Sequence, residues 1–205
     1  MAKDPFKSKN VVTAVKGKVS TSTYDITGTT LEEVYMQIQS KGPTVDGKRY
    51  AGSTKCILSG FDEGYDFASE TENGKVTGFA RFDKAKLKFD CEITLPKFDD
   101  YKKSLSKEDQ KTWETYYSGV VAHENEHVAD YEAEVTRWAG EVAAMRGQAE
   151  GKNEKKAQAT AKAALGKEFK AAFTPAHNEK RLKATAKKLD GSTGHGPTLK
   201  YTISK

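Results

Sequence analysis

Hydrophobic and polar residues alternate without interruption along residues 86–95. A period of two predicts a β-strand with one buried and one solvent-facing side. Residues 55–59, 65–69 and 76–82 are also typical of strands, and residues 11–23, rich in Val, Thr and Ser, predict one or two more. The side of 86–95 predicted to be buried consists of Leu87, Phe89, Cys91, Ile93 and Leu95.

Glycine-containing turn signals separate several of these segments. Residues 72–75, Glu-Asn-Gly-Lys, are typical of a two-residue turn between antiparallel strands. Asp46-Gly47 is a second turn signal. The sequence therefore predicts an antiparallel-rich sheet.

Helical spacing of apolar residues runs from Leu31 to Lys41. Thr29 or Thr30 is expected to cap the start of this helix, and Gly42-Pro43 to end it. A second helical region is expected to open at Ser104 or Ser106, because Ser106-Lys-Glu-Asp109 has the form of a capping box. It is predicted to continue to about Arg146, with a possible bend or break at Gly119 and its end marked by Gly147 and Gly151.

The C-terminal third of the chain is rich in Lys and Ala. Residues 152–173 predict an amphipathic helix with a solvated lysine side, and another helix is expected from Pro175 to about Leu189. Residues 198–204 alternate like a final strand.

Composition limits the class of protein. The chain has 205 residues, 36% hydrophobic and 31% charged, with a net charge of +5. This length suffices for one domain with a core, or for a domain with a helical extension. The basic excess is too weak to predict nucleic-acid binding, and no apolar stretch is long enough to span a membrane.

Cys56 and Cys91 both lie in segments predicted to be strands. The strands could be neighbours in one sheet. A disulfide in an oxidising compartment and a pair of buried thiols both stay open.

The strongest chemical signal is the motif His-Glu-x-x-His, formed by His123, Glu124 and His127. Residues four apart on a helix lie on the same face, so the two histidines can direct ring nitrogens at one zinc ion. Glu124 shares that side and can act on a water molecule. It also stands in the row of apolar positions of this helix, where a buried carboxylate is costly without a function. That row contains Val121, Val128, Tyr131, Val135, Trp138, Val142 and Met145.

A catalytic zinc ion has three protein ligands, so a third ligand is needed. His195 is the first candidate, because a histidine between two glycines in a turn has little core to pack into. The same position would also suit a hydrogen-bond donor to the transition state, or an exposed loop histidine. The other residues considered for the third ligand are Glu134, Glu141, Asp130 and His177. A straight helix would place Glu134 about 10 Å along its axis from His127, which is too far to share one ion.

Several motifs occur in a characteristic order between residues 24 and 198. They are Tyr-Asp-Ile-Thr-Gly (24–28), Leu31 and Tyr35 with Lys41-Gly42-Pro43, Ser53-Thr54, Leu95-Pro96, Trp113, the His-Glu-x-x-His motif, and Asp190-x-x-Thr193-x-His195-Gly196. In this order and spacing the chain resembles a bacterial family of predicted secreted zinc-dependent proteases, a domain of unknown function in the zincin clan. It departs from that pattern in Leu189, where the family tends to have an aromatic residue, in lacking a Trp near Cys56, and in lacking a leader sequence.

The resemblance implies an α+β, zincin-like fold, with an antiparallel-rich sheet packed on a long His-Glu-x-x-His helix and helices at the C-terminus. It implies an N-terminal segment, residues 1–23, and one metalloprotease domain, residues 24–205, that includes the Lys/Ala-rich helical region 152–189. It also favours His195 as the family's C-terminal histidine. A secreted or periplasmic location is implied, although the start of the chain lacks the apolar core of a signal peptide and a cytoplasmic location stays open.

The predicted function is zinc-dependent hydrolysis of peptide bonds, with zinc on His123, His127 and His195 and Glu124 as general base. Asp190 or Asp130 is expected to orient an imidazole. The oxyanion donor could be Tyr131, Tyr201 or a backbone N–H of residues 194–196. The expected partner is a peptide or protein substrate, with no nucleic acid, no membrane span and no predicted oligomeric state.

Two alternatives belong to other classes of protein. One is a non-catalytic binding or adaptor domain stabilised by a metal, with a vestigial zincin site. The other is a protein that binds an acidic partner through its Lys/Ala-rich helices, in which case binding should depend steeply on salt.

Overall fold

The computed structural model describes residues 5–201. In this range the chain is a mixed α+β protein with eight strands and five helices. The elements in chain order are β1 (Val12–Asp25), α1 (Leu31–Lys41), β2 (Thr44–Val45), β3 (Lys48–Arg49), β4 (Ser53–Asp62), β5 (Tyr65–Glu72), β6 (Lys75–Phe82), β7 (Ala85–Lys97), α2 (Tyr101–Ser104), α3 (Lys107–Ala144), β8 (Gly147–Gly151), α4 (Glu154–Ala172) and α5 (Pro175–Thr193).

The strands form three sheets, with the orders β1-β7-β4, β2-β3 and β5-β6-β8. β2 pairs with β3, β5 with β6 and β6 with β8, all antiparallel. The predicted α+β class with antiparallel-rich sheets is therefore confirmed. The alternation along β7 is confirmed as well, since the five residues predicted to be buried are all 6% exposed or less.

The predicted turn between β5 and β6 is present. Glu72 pairs with Lys75, and Asn73 and Gly74 have φ angles of 51° and 77°. Two successive residues with positive φ match the right-handed twist of a hairpin, and Asn-Gly adopts them at low cost. β2 and β3 flank the Asp46-Gly47 turn in the same way, with φ angles of 48° and 79°.

The first helix has the predicted bounds. Thr30 caps it by accepting a hydrogen bond from the backbone N–H of Glu33, and α1 ends at Lys41. Gly42 follows in close contact with another part of the chain, since a Cβ at this position would lie 2.1 Å from the carbonyl oxygen of Tyr50. Gly42 thus both ends the helix and lets the chain pass beside residue 50.

Helix α3 runs without interruption from Lys107 to Ala144, so the expected break at Gly119 does not occur. Ser106 caps it as predicted, accepting a hydrogen bond from the backbone N–H of Asp109 and donating one to its carboxylate. A Cβ at Gly119 would lie 3.0 Å from the Cγ atom of Pro197. Gly119 therefore makes room for the C-terminal segment within a continuous helix.

Strand β8 was not predicted from the sequence, and it pairs with β6 at the place where only a helix end was expected. Its glycines have a packing role. A Cβ at Gly147 would lie 2.0 Å from the carbonyl oxygen of Ala161, and one at Gly151 would lie 2.5 Å from the backbone nitrogen of Ala157. Glycine permits this close approach of α4 to the strand and also removes the pattern by which a strand is recognised.

The C-terminal helices are confirmed, and α4 buries Ala157, Ala161 and Leu165. α5 is longer than expected and ends at Thr193, so Asp190 lies in its last turn. Residues 198–201 form no strand, and residues 202–204 of the predicted final strand lie outside the described residues.

The chain divides into two compact units. The first contains residues up to Gly17, Ile57–Phe89 and Glu132–Lys183, and its core includes an aromatic cluster of Phe61, Phe82, Phe169 and Phe173. The second contains Lys18–Cys56, Asp90–Tyr131 and the residues from Ala184 onward. All parts of the candidate site described below belong to the second unit.

Candidate metal and catalytic site

Helix α3 brings the His-Glu-x-x-His residues together on one buried side. His123, Glu124 and His127 are 8%, 4% and 6% exposed, and the ring centroids of the two histidines are 4.7 Å apart. This is the geometry that the four-residue spacing predicts. The predicted cluster of two imidazoles and one carboxylate is therefore present on α3.

Asp190 joins the two histidines from the last turn of α5. Its Oδ1 atom lies 3.4 Å from Nε2 of His123 and 3.2 Å from Nε2 of His127. The ligand atoms of these three residues all lie within 4.8 Å of one another. This group of two nitrogens and one oxygen could hold a metal ion.

His195 does not belong to that group. Its Nδ1 atom lies 3.4 Å from the Oδ2 atom of Asp190, and its ring packs against Tyr50 with centroids 5.2 Å apart. The side chain is 51% exposed. The structure thus brings Asp190 to the position that the sequence analysis gave to His195, and a role of His195 as a ligand stays a prediction.

The chain reaches this arrangement through a turn of three successive residues with positive φ. The angles are 78° at Gly194, 60° at His195 and 85° at Gly196. A Cβ at Gly196 would lie 3.2 Å from the ring of His123. Glycine is therefore needed there because of the positive φ angle and because of the lack of space for a side chain. The turn packs directly against His123 on α3.

Two other candidate ligands bind arginines instead. Glu134 accepts hydrogen bonds from Arg137 and from the indole of Trp138. Glu141 forms a bidentate ion pair with Arg181. Both lie in the first unit of the chain. Among the described residues, the group that could hold a metal ion contains neither of them.

The Glu124 carboxylate lies against the start of β4. Thr54 Oγ1 lies 2.8 Å from Glu124 Oε2 and 3.0 Å from the backbone oxygen of Glu124. Burial raises the pKa of Glu124 to about 7; the Thr54 hydrogen bond opposes this shift and the charge of Asp190 adds to it. A pKa near neutrality suits a group that takes up and returns a proton at neutral pH.

Burial also sets the state of the neighbouring groups. It lowers the pKa of His127, which favours the neutral imidazole that a metal ligand must be. The Nδ1 atom of His127 has no hydrogen-bond partner within residues 5–201. Its Nε2 atom faces the carboxylate of Asp190. Burial raises the pKa of Tyr131 to about 12, with smaller contributions from the charges of Asp190 and Glu124, so its hydroxyl keeps its proton.

A cavity of about 260 Å³ opens beside these residues. His123, Glu124, His127 and Asp190 line one part of it. Residues of α1, of the segment 45–54 and of the segment 195–199 line most of the rest, and they include Tyr35, Ile38, Tyr50 and Leu199. The cavity gives a small molecule or a segment of chain access to the site.

The sequence predicts an orienting role for Asp190 and no role in the chemistry for Gly52 or Thr54. The signal for Asp190 was its place in the C-terminal motif with His195. No residue pattern signals that Thr54 meets Glu124, since the contact joins a strand to a helix far along the chain.

The fold and the site together define an α+β protein with a buried His-Glu-x-x-His helix and an acidic third member in a potential metal group. The sequence model of a family described as bacterial protein of unknown function, DUF922, matches residues 21–196. The chain therefore belongs to this family. No curated protein and no solved structure matches the chain. None of the helices within residues 5–201 has the length and apolar character to cross a membrane.

Proposed function

We propose that this protein is a zinc-dependent peptidase of the zincin type, in which His123, His127 and Asp190 hold the ion. The observation that carries the proposal is the position of Asp190 Oδ1, 3.4 and 3.2 Å from the two histidine Nε2 atoms. Two ligands bound tetrahedrally to zinc at about 2.0–2.1 Å lie about 3.3–3.4 Å apart. Asp190 Oδ1 thus lies at about the distance from each histidine nitrogen that a shared zinc ion requires, and all three ligand atoms lie within 4.8 Å of one another.

The donor set supports zinc. Two imidazole nitrogens and one carboxylate oxygen are ligands that zinc accepts, and three protein ligands leave a fourth position open, as in catalytic sites. When bound, zinc would polarise a substrate carbonyl and lower the pKa of a water molecule.

Glu124 is the proposed general base. It lies next to His123 in the sequence and faces the same cavity. In the proposed reaction its carboxylate takes a proton from the attacking water and returns it to the amine that leaves. A carboxylate used in this way explains why an acidic residue occupies a buried position on α3.

The proposed donor to the oxyanion is one of the three candidates predicted from the sequence. The protonated Tyr131 lies near His127, with ring centroids 6.4 Å apart. The backbone of the 194–196 turn also qualifies, because His195 and Gly196 line the cavity. Tyr201 packs against Tyr35, with ring centroids 5.0 Å apart.

A secreted or periplasmic location fits this proposal. Cys56 and Cys91 form a disulfide bond, which decides between the two alternatives left open by the sequence. Disulfides persist in oxidising compartments and are rare in the bacterial cytoplasm.

The test is hydrolysis of an unfolded protein such as reduced, alkylated casein by the zinc-loaded chain. The Glu124→Gln variant is expected to bind zinc as the wild type does and to lose hydrolysis by at least about 100-fold. Glu126→Gln is the matched control, because Glu126 lies two residues away on the same helix and is exposed. If the wild type binds one zinc ion and cleaves nothing, the metal-stabilised binding domain becomes the better explanation.

A further inference from the structure

The Glu124 side chain enters a slot formed by two residues at the start of β4. Gly52, which is buried and directly precedes β4, forms one wall. A Cβ at Gly52 would lie 2.7 Å from Oε1, 2.9 Å from Cγ and 3.0 Å from Cδ of Glu124. Only a residue without a side chain leaves the carboxyl group in its observed place.

Thr54 forms the other side of the slot. Its hydroxyl lies 2.8 Å from Oε2 and 3.0 Å from the backbone oxygen of the same glutamate. One oxygen of the carboxyl group therefore meets a hydrogen-bonding partner while the other meets the open face of a glycine. Together the two contacts restrict rotation of the carboxyl group about its terminal bond, which is otherwise a broad and weakly restricted torsion.

The strand that carries this slot is itself fixed. Cys56, two residues after Thr54, is bonded to Cys91 of β7, the neighbouring strand in the sheet. Both cysteines are buried. The covalent link keeps the start of β4 at a constant position within its sheet.

We propose that Gly52 and Thr54 are positioning residues, which fix the direction of the Glu124 carboxyl group and so hold it in the orientation for proton transfer. The part that concerns proton transfer rests on the proposed function. The reaction gains from this arrangement because misplacement of a catalytic group by about 1 Å can cost about 100-fold in rate.

Two variants disturb the slot from opposite sides and leave Glu124 itself intact. Gly52→Ala adds a methyl group that must displace the carboxyl group. Thr54→Val keeps the shape and the β-branch of threonine but removes the hydroxyl. Both are expected to keep zinc stoichiometry and KM and to lower kcat by about 10- to 100-fold. Thr54→Ser, which keeps the hydroxyl, is expected to restore most of kcat.

Thr94→Val is the matched control for Thr54→Val. Thr94 is also part-buried on a strand of the second unit, and its hydroxyl bonds to Ser22 instead of to a site residue. This variant should lower stability without changing kcat. A similar fall in kcat for Thr94→Val and Thr54→Val would overturn the proposal, because the effect would then be general to the sheet.

A second measurement separates the slot from the peptidase activity. In metal-free protein, Gly52→Ala should lower the urea midpoint of unfolding in the wild type but not in a Glu124→Ala background, where no carboxyl group has to move. Equal shifts in both backgrounds would show that Gly52 does not confine Glu124, and would overturn the proposal.

If the shifts differ but the wild type hydrolyses nothing, the slot stands and the proposed function fails. If hydrolysis occurs and both slot variants keep the wild-type kcat, the proposal fails and the proposed function stands.

Discussion

The Oδ1 atom of Asp190 lies 3.2 Å from the Nε2 atom of His127, although the two residues belong to different helices, α5 and α3. The other carboxylate oxygen of Asp190 faces Nδ1 of His195 at 3.4 Å. One aspartate therefore lies between the two helical histidines and the histidine of the C-terminal turn. This relationship makes Asp190, and not His195, the third member of the group that could hold a metal ion.

We expect Asp190→Ala to lower zinc affinity by more than about 100-fold, since even changes to residues that only orient a ligand cost about 10- to 100-fold. His195→Ala should keep one zinc ion per chain. The measurement is zinc content by elemental analysis after dialysis, with affinity from competition against a chelator. Glu126→Ala serves as control, because Glu126 is exposed on the same helix as the two histidines and lies outside the potential metal group. The reverse result, loss of zinc in His195→Ala and retention in Asp190→Ala, would make His195 the ligand.

The disulfide should contribute substantially to stability. Cys56 and Cys91 are 35 residues apart, and closing a loop of this length lowers the entropy of the unfolded chain by an amount equivalent to about 4 kcal/mol. The Cys56→Ala, Cys91→Ala double variant should therefore unfold at a lower urea concentration than the oxidised wild type. Reductant should lower the wild-type midpoint and leave that of the variant unchanged. A wild-type midpoint that does not respond to reductant would contradict the prediction.

Two glycines of α3 should respond differently to alanine. Gly140 has no neighbouring atom within 4 Å of an added Cβ, so Gly140→Ala should stabilise the helix by about 1 kcal/mol. At Gly119 the same gain is opposed by Pro197, whose Cγ and Cβ atoms lie 3.0 and 3.3 Å from the added Cβ. Urea unfolding should show a smaller gain or a loss for Gly119→Ala. The Pro197→Ala background, which removes Cγ and keeps Cβ, should restore part of the gain. Equal stabilisation by both single variants would rule out the contact with Pro197.

Stability in acid should depend in part on Glu141. Arg181 donates hydrogen bonds to both carboxylate oxygens of Glu141, at 2.7 and 2.8 Å. These bonds lower the pKa of Glu141, and burial opposes this shift. The charges of Arg181, Arg137 and His177 lower the pKa further. A lowered pKa means that the ion pair stabilises the folded state above the unfolded-state pKa and that this contribution is lost as the pH falls through the folded-state pKa. Because the side chain is partly exposed, Glu141→Gln should cost only about 0.5 kcal/mol at pH 7.

That cost should disappear at an acidic pH below the folded-state pKa of Glu141, where the wild-type carboxyl group is protonated as well. The measurement is the urea midpoint of both proteins at the two pH values. Glu179→Gln is the control, since Glu179 pairs with Lys183 on the surface and should show a smaller difference. A Glu141→Gln cost that is the same at both pH values would show that the ionised pair is not its cause.

Local rules predicted the regular parts of the fold well. The alternation in β7, the Asn-Gly turn after β5, the Thr30 cap of α1 and the Ser106 cap of α3 all follow from interactions between residues close in sequence. β8 was missed because the glycines that weaken its strand pattern are required by the close packing of α4. The possible break at Gly119 does not occur. The role of this glycine was not predicted for a related reason, since Pro197, which it contacts, is distant in sequence.

The sequence by itself determined the α+β class, most element positions and the one-sided cluster of His123, Glu124 and His127, because helix and strand periodicity fix which side chains share a face. Only the tertiary structure brought Asp190 to the histidines, joined Cys56 to Cys91 and placed Gly52 and Thr54 against Glu124. Each of these contacts joins separate elements. Their positions depend on how whole faces of helices and sheets pack, which no short stretch of sequence encodes.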